Sequence, residues 1–240
     1  MNKRLIKHII SFSGGKDSTA MLIRMIELGM QIDEILFADT GVEFPEMYDY
    51  IREVEIYIGR KIKVVKPKHS FEWWFYRKYT RGQNTHRIRG FPYVIQGCWW
   101  AKDCKTGPLT KAEGKGNFVY IGIANDEKKR TNRKIYQNQK NQYKFPLIEW
   151  GWSEQKCLSY LKEKGLHNPL YNKFHRLGCW LCPKQRISEL RVLYEDYPEL
   201  WEKLKILEGD SPQGFKPNIR LIDLENKWKY QTKLNTIQQR

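Results

Sequence analysis

No uncharged apolar run in the chain approaches the roughly 18 residues that a membrane-spanning helix needs. Met1, Asn2, Lys3 and Arg4 lead straight into an apolar stretch that feeds a glycine turn, so they do not read as a signal peptide. A cytoplasmic location without a membrane partner is expected. No internal repeat is present, which excludes a solenoid. Nor is there an even cysteine framework. Of five cysteines, four fall in two close pairs: Cys98 with Cys104, and Cys179 with Cys182. In a cytosolic chain such pairs mean metal or redox chemistry more often than structural disulfides.

Acidic residues are scarce over long windows. Residues 1–59 carry six Lys/Arg and ten Asp/Glu, so in a chain of net charge +16 the remainder carries +20. Residues 60–89 hold ten Lys/Arg and one acid, Glu72; residues 128–144 hold seven Lys/Arg and none. This excess fits a polyanionic partner, nucleic acid first, set against the plainer alternative of a solvated basic surface. Among the cations of 60–89 lie Phe71, Trp73, Trp74, Phe75, Tyr76 and Tyr79. Aromatics there would stack unpaired bases. They equally suit a helix laid over a sheet, with its charges outward. Residues 128–144 have no apolar periodicity and read as a mobile basic loop.

What is present begins with Ser13-Gly14-Gly15-Lys16-Asp17-Ser18. An apolar strand-like run precedes it and a helix-like run follows. Adjacent glycines let backbone approach a ligand, and a new helix offers free N–H groups and its positive dipole end. Lys16 adds charge; Ser13 and Ser18 add hydroxyls. A phosphate chain is the expected guest, with a Ser/Asp-capped helix as the bland reading. The spacing from glycine to lysine is too short for a Walker loop. Further strands are expected at 34–41, 61–65, 117–123 and 145–150, with helices at 46–58, 153–164 and 185–208, and a polar covering tail after 209. Alternating strands and helices imply an α/β fold with a five-stranded, mainly parallel, Rossmann-like sheet. Residues 1–184 read as the nucleotide-binding domain and 185–240 as a small helical C-terminal extension. Asp39 and the acids Asp126 and Glu127 fall at carboxyl ends of strands, where such sheets bind ligands. Asp39 would hold Mg²⁺ through water or orient a nucleotide; the alternative is that it starts a turn.

The Ser13–Ser18 stretch resembles the pyrophosphate loop of the ATP-pyrophosphatase superfamily. Within it, three further segments are similar to the phosphoadenosine-phosphosulfate (PAPS) reductase-like family: Asp39-Thr40-Gly41 through Phe44-Pro45-Glu46; Gly122 through Arg130, where Asn125 and Lys128 depart from the pattern; and Asn168-Pro169-Leu170-Tyr171 through Cys179 and Cys182. The resemblance covers about residues 5–185. It implies an adenine nucleotide, ATP with Mg²⁺, held by Ser11, Ser13, Gly14, Gly15, Lys16, Asp17, Ser18, Asp39, Thr40 and Gly122. Lys16, Asp17 and Arg130 are the implied catalytic groups.

Two cysteine pairs brought together by a fold make a four-thiolate site for Zn²⁺ or an iron–sulfur cluster. The alternative is buried free thiols. The resemblance favours [4Fe-4S], in a form similar to DNA-phosphorothioation and phage-borne branches of the family; the opened spacing of Cys98 and Cys104 keeps Zn²⁺ as an alternative. Cys157 reads as a core residue. The family's sulfonucleotide reductases use a nucleophilic cysteine in a C-terminal tail, and no cysteine follows Cys182. The expectation is therefore an enzyme that adenylates an acceptor, DNA or tRNA contacted through 60–89 and 128–144, for sulfur transfer from a donor protein. The alternatives are a sulfonucleotide reductase with an external thiol, and a nucleotide-gated nucleic-acid-binding module with a structural metal.

Overall fold

The computed structural model describes residues 5–92, 97–137 and 140–238. The reading of residues 1–4, and Asn138 and Gln139 of the basic stretch, fall outside them. Five strands form one sheet: β1 (His8–Phe12), β2 (Glu34–Ala38), β3 (Lys63–Val65), β4 (Phe118–Ile121) and β5 (Gln142–Lys144). Their order is β3-β2-β1-β4-β5, and all four pairings are parallel. The order reverses between β1 and β4, which is where an open parallel sheet leaves a crevice at its carboxyl edge. Ser11 pairs with Ile121 and Phe12 with Phe37. Ser13, Gly122 and Asp39 therefore leave the sheet along one edge.

Side chains alternate across the sheet, as the strand period requires. Ile9, Leu36, Ala38 and Val119 pack on one face with Leu109; Ile10, Phe12, Ile35, Phe37 and Tyr120 join the larger cluster on the other. That larger face is covered by α1 (Lys16–Glu27) and α2 (Pro45–Ile58). Pro45 sits in the first turn of α2, where its missing N–H costs nothing, and Gly59 ends the helix with φ +64°. α3 (Phe71–Tyr76) buries Phe71 and Phe75 and leaves Trp73 and Tyr76 exposed. The two readings of this aromatic stretch thus divide it: one face is cover for the core, the other is free.

After α3 comes a π-helix, Ala101–Thr106, then α4 (Gly107–Glu113), which carries Leu109. The expected fifth strand at 145–150 is not one. β5 lies earlier, at Gln142–Lys144, and α6 (Pro146–Glu149) follows as one helical turn. Proline fixes φ and cannot donate to a ladder, so it suits the helix start. The run around Leu147 is apolar because that turn is buried, and a short apolar run does not by itself separate strand from helix. The register of β5 is set by Asn117, whose N–H donates to Asn141 Oδ1 at 3.1 Å and whose carbonyl accepts from Gln142 N at 2.9 Å.

Nor is the 128–144 stretch a simple exposed loop. Asn125–Asn132 forms 3₁₀ turns, α5 (Lys134–Gln137) follows, and β5 ends the stretch. Tyr136 packs edge-on against Tyr143 and Phe145 at 5.2 and 5.4 Å. The turns are too short to show a helical period, so isolated aromatic anchors order the segment instead.

α7 (Glu154–Glu163) is capped by Ser153, whose Oγ accepts from Lys156 N at 3.1 Å. A 3₁₀ turn, Pro169–Asn172, leads to α8 (Ile187–Asp196), α9 (Pro198–Asp210) and α10 (Leu221–Gln238). The helical expectation for 185–208 is met with a break at Tyr197, before Pro198. Leu193, Trp201, Leu207 and Trp228 belong to the same hydrophobic cluster as Phe44 and Phe71. Buried Glu225 accepts from Trp201 Nε1 at 2.8 Å and pairs with Lys205 and Lys229. Burial pushes its carboxyl up, but those hydrogen bonds outweigh it and hold the group at about 2. Among the described residues no helix is long and apolar enough to cross a membrane.

Candidate active site

The glycine turn after β1 is closed by hydroxyls. Ser13 N–H donates to Ser18 Oγ at 3.1 Å, and the Ser18 and Thr19 hydroxyls both donate to the Gly15 carbonyl at 3.0 Å. Gly14 adopts φ +71°, a conformation that L side chains rarely take. The 3₁₀ turn at 169–172 braces the loop from outside. Asn168 Nδ2 donates to the Gly14 carbonyl at 3.2 Å, and Lys16 N–H donates to the Tyr171 hydroxyl at 2.9 Å. Gly122 backs the loop from β4: a Cβ there would lie 2.6 Å from Ser18 Cα and 2.7 Å from its nitrogen.

A cleft of about 750 Å³ opens over this loop. Ser11, Ser13, Gly15, Lys16, Asp17, Ser18, Gly122 and Arg130 line it. Gly14, Asp39 and Thr40 do not. Asp39 is buried and bonded as a turn residue: its carboxylate accepts from Gly41 N at 2.9 Å and Tyr48 hydroxyl at 2.8 Å, and pairs with Lys66 at 3.5 Å. Thr40 donates to Glu43 at 2.8 Å. Sequence reasoning missed several lining residues: Glu154, read only as the opening of a helix, and the cations Lys105, Arg133 and Arg186 on other walls. No local pattern marks them, because each is brought in by a different element.

Charge in the cleft is paired. Lys16 Nζ lies 3.2 Å from Glu154 and 3.8 Å from Asp17; Arg130 pairs with Glu127, and Arg176 lies 3.6 Å from it. Carboxylate oxygens of Asp17, Glu127 and Glu154 lie within 4.8 Å of one another. Burial raises the Asp17 carboxyl to about 6 against the pull of Lys16, with Glu154 and Glu127 adding to the rise. Its Oδ1 is buried without a hydrogen-bond partner. Three carboxylates offering hard oxygen donors within 4.8 Å of one another fit Mg²⁺ chemistry.

The π-helix forms another wall. Lys105 and Thr106 face the cleft, while Cys104 is buried. The opened spacing between Cys98 and Cys104 is taken up by entry into this widened helical turn, a geometry frequent at functional sites. Cys179 approaches from the other side, its Sγ 3.9 Å from Thr40 Oγ1, and Cys182 follows one turn on. The Cys98 sulfur is close enough to influence both Cys104 and Cys182 electrostatically. All four thiols are free and partly or fully buried, and burial pushes Cys104 up to about 12 and raises Cys179 and Cys182 as well. Soft donors in a dry setting fit a thiophilic metal. Among the described residues no three of the sulfurs lie within 4.8 Å of one another. Cys157, by contrast, is buried in the core beneath Asp17, and burial raises its thiol.

A parallel sheet with a glycine turn leading into a helix at its switch point is an α/β arrangement that opens a ligand crevice at that edge. The chain belongs to the phosphoadenosine phosphosulfate reductase domain family, whose signature matches residues 7–185. An uncharacterised protein of Methanocaldococcus jannaschii is 32% identical over 206 residues, 81% of this chain and 40% of that protein. The phosphoadenosine 5'-phosphosulfate reductase of Vibrio vulnificus is 27% identical over 172 residues, 69% of this chain and 62% of the reductase. This chain thus spans less than two thirds of either relative. Among solved structures, the PAPS reductase of Candida auris in its phosphate complex superimposes with a TM-score of 0.50 at 19% identity, covering 72% of this chain and 81% of that one.

Two outcomes follow from the geometry. Gly122→Ala places its methyl group against backbone that cannot rotate away, so it should destabilise the protein by about 1–3 kcal/mol and displace the loop. Thermal unfolding and nucleotide titration would read both effects; an unchanged variant would remove the close approach as a constraint. Asp17 is the second case. Its folded-state pKa is raised from 3.8 to about 6, so folding stability is lost as pH rises between these values. Asp17→Asn should therefore be more stable than the parent above pH 6 and no more stable below pH 4, measured by urea unfolding at both ends.

Proposed function

We propose that this chain is an enzyme that cleaves ATP between its α and β phosphates and adenylates an acceptor, nucleic acid first, for sulfur transfer. The observation that carries this reading is one cleft holding a glycine turn at a helix N-terminus, ion-paired cations and a carboxylate trio, with free thiols behind its wall. ATP phosphates would lie on the N–H groups of the Ser13–Ser18 turn. Lys16 and Arg130 now sit on Glu154 and Glu127. Phosphate oxygens would draw both cations away, leaving Asp17, Glu127 and Glu154 to hold Mg²⁺.

An acceptor oxygen attacks the α-phosphorus; the bond to the bridging oxygen breaks and pyrophosphate leaves. Lys16 and Arg130 offset the charge that develops on it. A sulfur nucleophile then displaces AMP from the adenylated acceptor. Cys98, Cys104, Cys179 and Cys182 are the proposed ligands of a [4Fe-4S] cluster, which with one thiolate on each iron would fix the fold behind the cleft wall.

A second reading, sulfonucleotide reduction, is favoured by the Vibrio relative. It would need an external thiol, because Cys157 is buried beneath the loop and its thiolate is disfavoured. Sulfite release from PAPS or adenylylsulfate with thioredoxin would decide for it.

Anaerobically purified protein should release pyrophosphate from ATP when given the acceptor, and Lys16→Ala should lower that rate by about 100-fold or more. Equal rates in the two proteins would sink the reading. The same preparation should show a broad absorption near about 400 nm from thiolate-bound iron, lost in Cys182→Ser. A colourless protein carrying one zinc would replace the cluster with the alternative metal.

A further inference from the structure

A second cavity, of about 290 Å³, lies outside the nucleotide cleft, between Trp74, Arg77, Tyr79, Arg89 and Asp103. Its walls are planar groups already layered on one another. The Arg77 guanidinium lies 5.2 Å from the ring centres of both Trp73 and Trp74. That of Arg89 lies 5.2 Å from Trp74 and 4.2 Å from Trp99. Asp103 pairs with Arg89 at 3.0 Å, which fixes the guanidinium in its plane. Trp73 is closed off by His69, stacked on it at 3.8 Å, whereas Tyr79 keeps 43% of its surface exposed with no ring or guanidinium of the described residues upon it, so the layer is open at Tyr79.

Residues 77–90 fold back on themselves as a short arm. Lys78 bridges Ile88, Tyr79 N–H donates to the Arg87 carbonyl at 3.0 Å, and Arg89 N–H donates to the Arg77 carbonyl at 2.9 Å. Its base is pinned. Gly90 has φ +64°, and a Cβ there would lie 2.5 Å from Ser211 Oγ. Tyr76 hydroxyl donates to Asp210 at 2.6 Å. The arm therefore presents Lys78, Tyr79, Arg81 and Arg87 from a fixed root, and all four are exposed.

We propose that this cavity and arm bind an unpaired segment of single-stranded nucleic acid, with one base stacked on the open Tyr79 ring at the mouth of the cavity and its flanking phosphates on Arg77, Lys78 and Arg81. Charge selects this occupant: the window 60–89 has ten cations and one acid, and that acid, Glu72, is paired with Lys203 at 2.9 Å. The open aromatic layer selects unpaired bases, because stacked bases in a duplex offer no free face. A duplex would meet only the cations. The π-helix connects this cavity to the cleft. Asp103 lines the first, and Lys105 and Thr106, two and three residues on, line the second. A bound strand thus runs along the outer side of the wall whose inner side faces ATP. The role of that strand as acceptor rests on the adenylation reading; its binding does not.

The test is fluorescence anisotropy with a labelled oligothymidylate and a duplex of the same length, in the absence of ATP. The intact protein should prefer the single strand. Tyr79→Ala should weaken it about tenfold without changing the salt dependence, since no charge is lost. Arg77→Lys keeps the charge and loses the planar group, and should weaken binding about threefold to tenfold. Both residues are exposed, and matching thermal melts would confirm intact folds. Equal affinity for single strand and duplex, or variants that bind as tightly as the parent, would overturn the proposal. Because no ATP is present, failure here leaves pyrophosphate chemistry standing, and loss of that chemistry leaves this binding standing.

Discussion

The site depends on how closely β4 approaches the first turn of α1. Gly122 has no side chain because Ser18 backbone occupies the place of its Cβ. That contact puts the end of β4 directly behind the phosphate loop. It brings the acids and cations of 126–130 over the loop rather than beside it. Asn168 and Tyr171 complete the constraint from the opposite side through the Gly14 carbonyl and the Lys16 amide. A loop held by side-chain hydroxyls, a glycine back wall and a distant 3₁₀ turn is rigid before any ligand arrives. Preorganisation of this kind lowers the reorganisation needed when charge develops on a phosphate.

The electrostatics of the cleft answer a different problem. Lys16, Arg130 and Arg176 would repel one another if left bare in a half-enclosed space. Glu154, Glu127 and Asp17 neutralise them in the ligand-free state. The arrangement is stable but not satisfied, since Asp17 keeps an unpartnered oxygen and a raised pKa. A cation–anion ligand such as a metal phosphate exchanges one set of ion pairs for another of the same sign pattern. Lys16, Arg130 and the three acids thus keep partners through the exchange, which matters because an uncompensated buried charge is the costly case.

The sheet was legible in the sequence to the extent that strand ends carry turn chemistry. Ser13–Ser18 and Gly122 lie at such ends, and the family segments marked them. Asp39 was correctly placed at a strand end, and of its two readings the turn is the one its hydrogen bonds carry out. β5 was misplaced because Phe145–Ile148 is apolar for helical burial, whereas the true strand, at Gln142–Lys144, is half polar at the edge of the sheet. The order within 125–137 was hidden because its anchors, such as Tyr136, act singly. Glu154 could not be recognised at all: its partner Lys16 is far away in the chain, and only the packing of α7 along α1 brings them together.

The basic windows show why charge counts locate a partner less well than geometry does. On charge alone both 60–89, with its aromatics, and 128–144, a loop-like basic stretch, point to the same nucleic-acid partner. The fold separates them. Arg130, Arg133 and Tyr136 of the second line the cleft over the Ser13–Ser18 turn. Arg77, Lys78 and Arg81 of the first stand on an exposed arm beside open aromatic rings. Cations that converge on an enclosed loop suit the compact charge of a triphosphate. Cations spaced along an arm, next to stacking faces, suit a chain of phosphates with bases between them. The π-helix lies between the two sets, with buried Cys104 at its centre, so the ligands proposed for the arm and for the cleft would meet across the same turn.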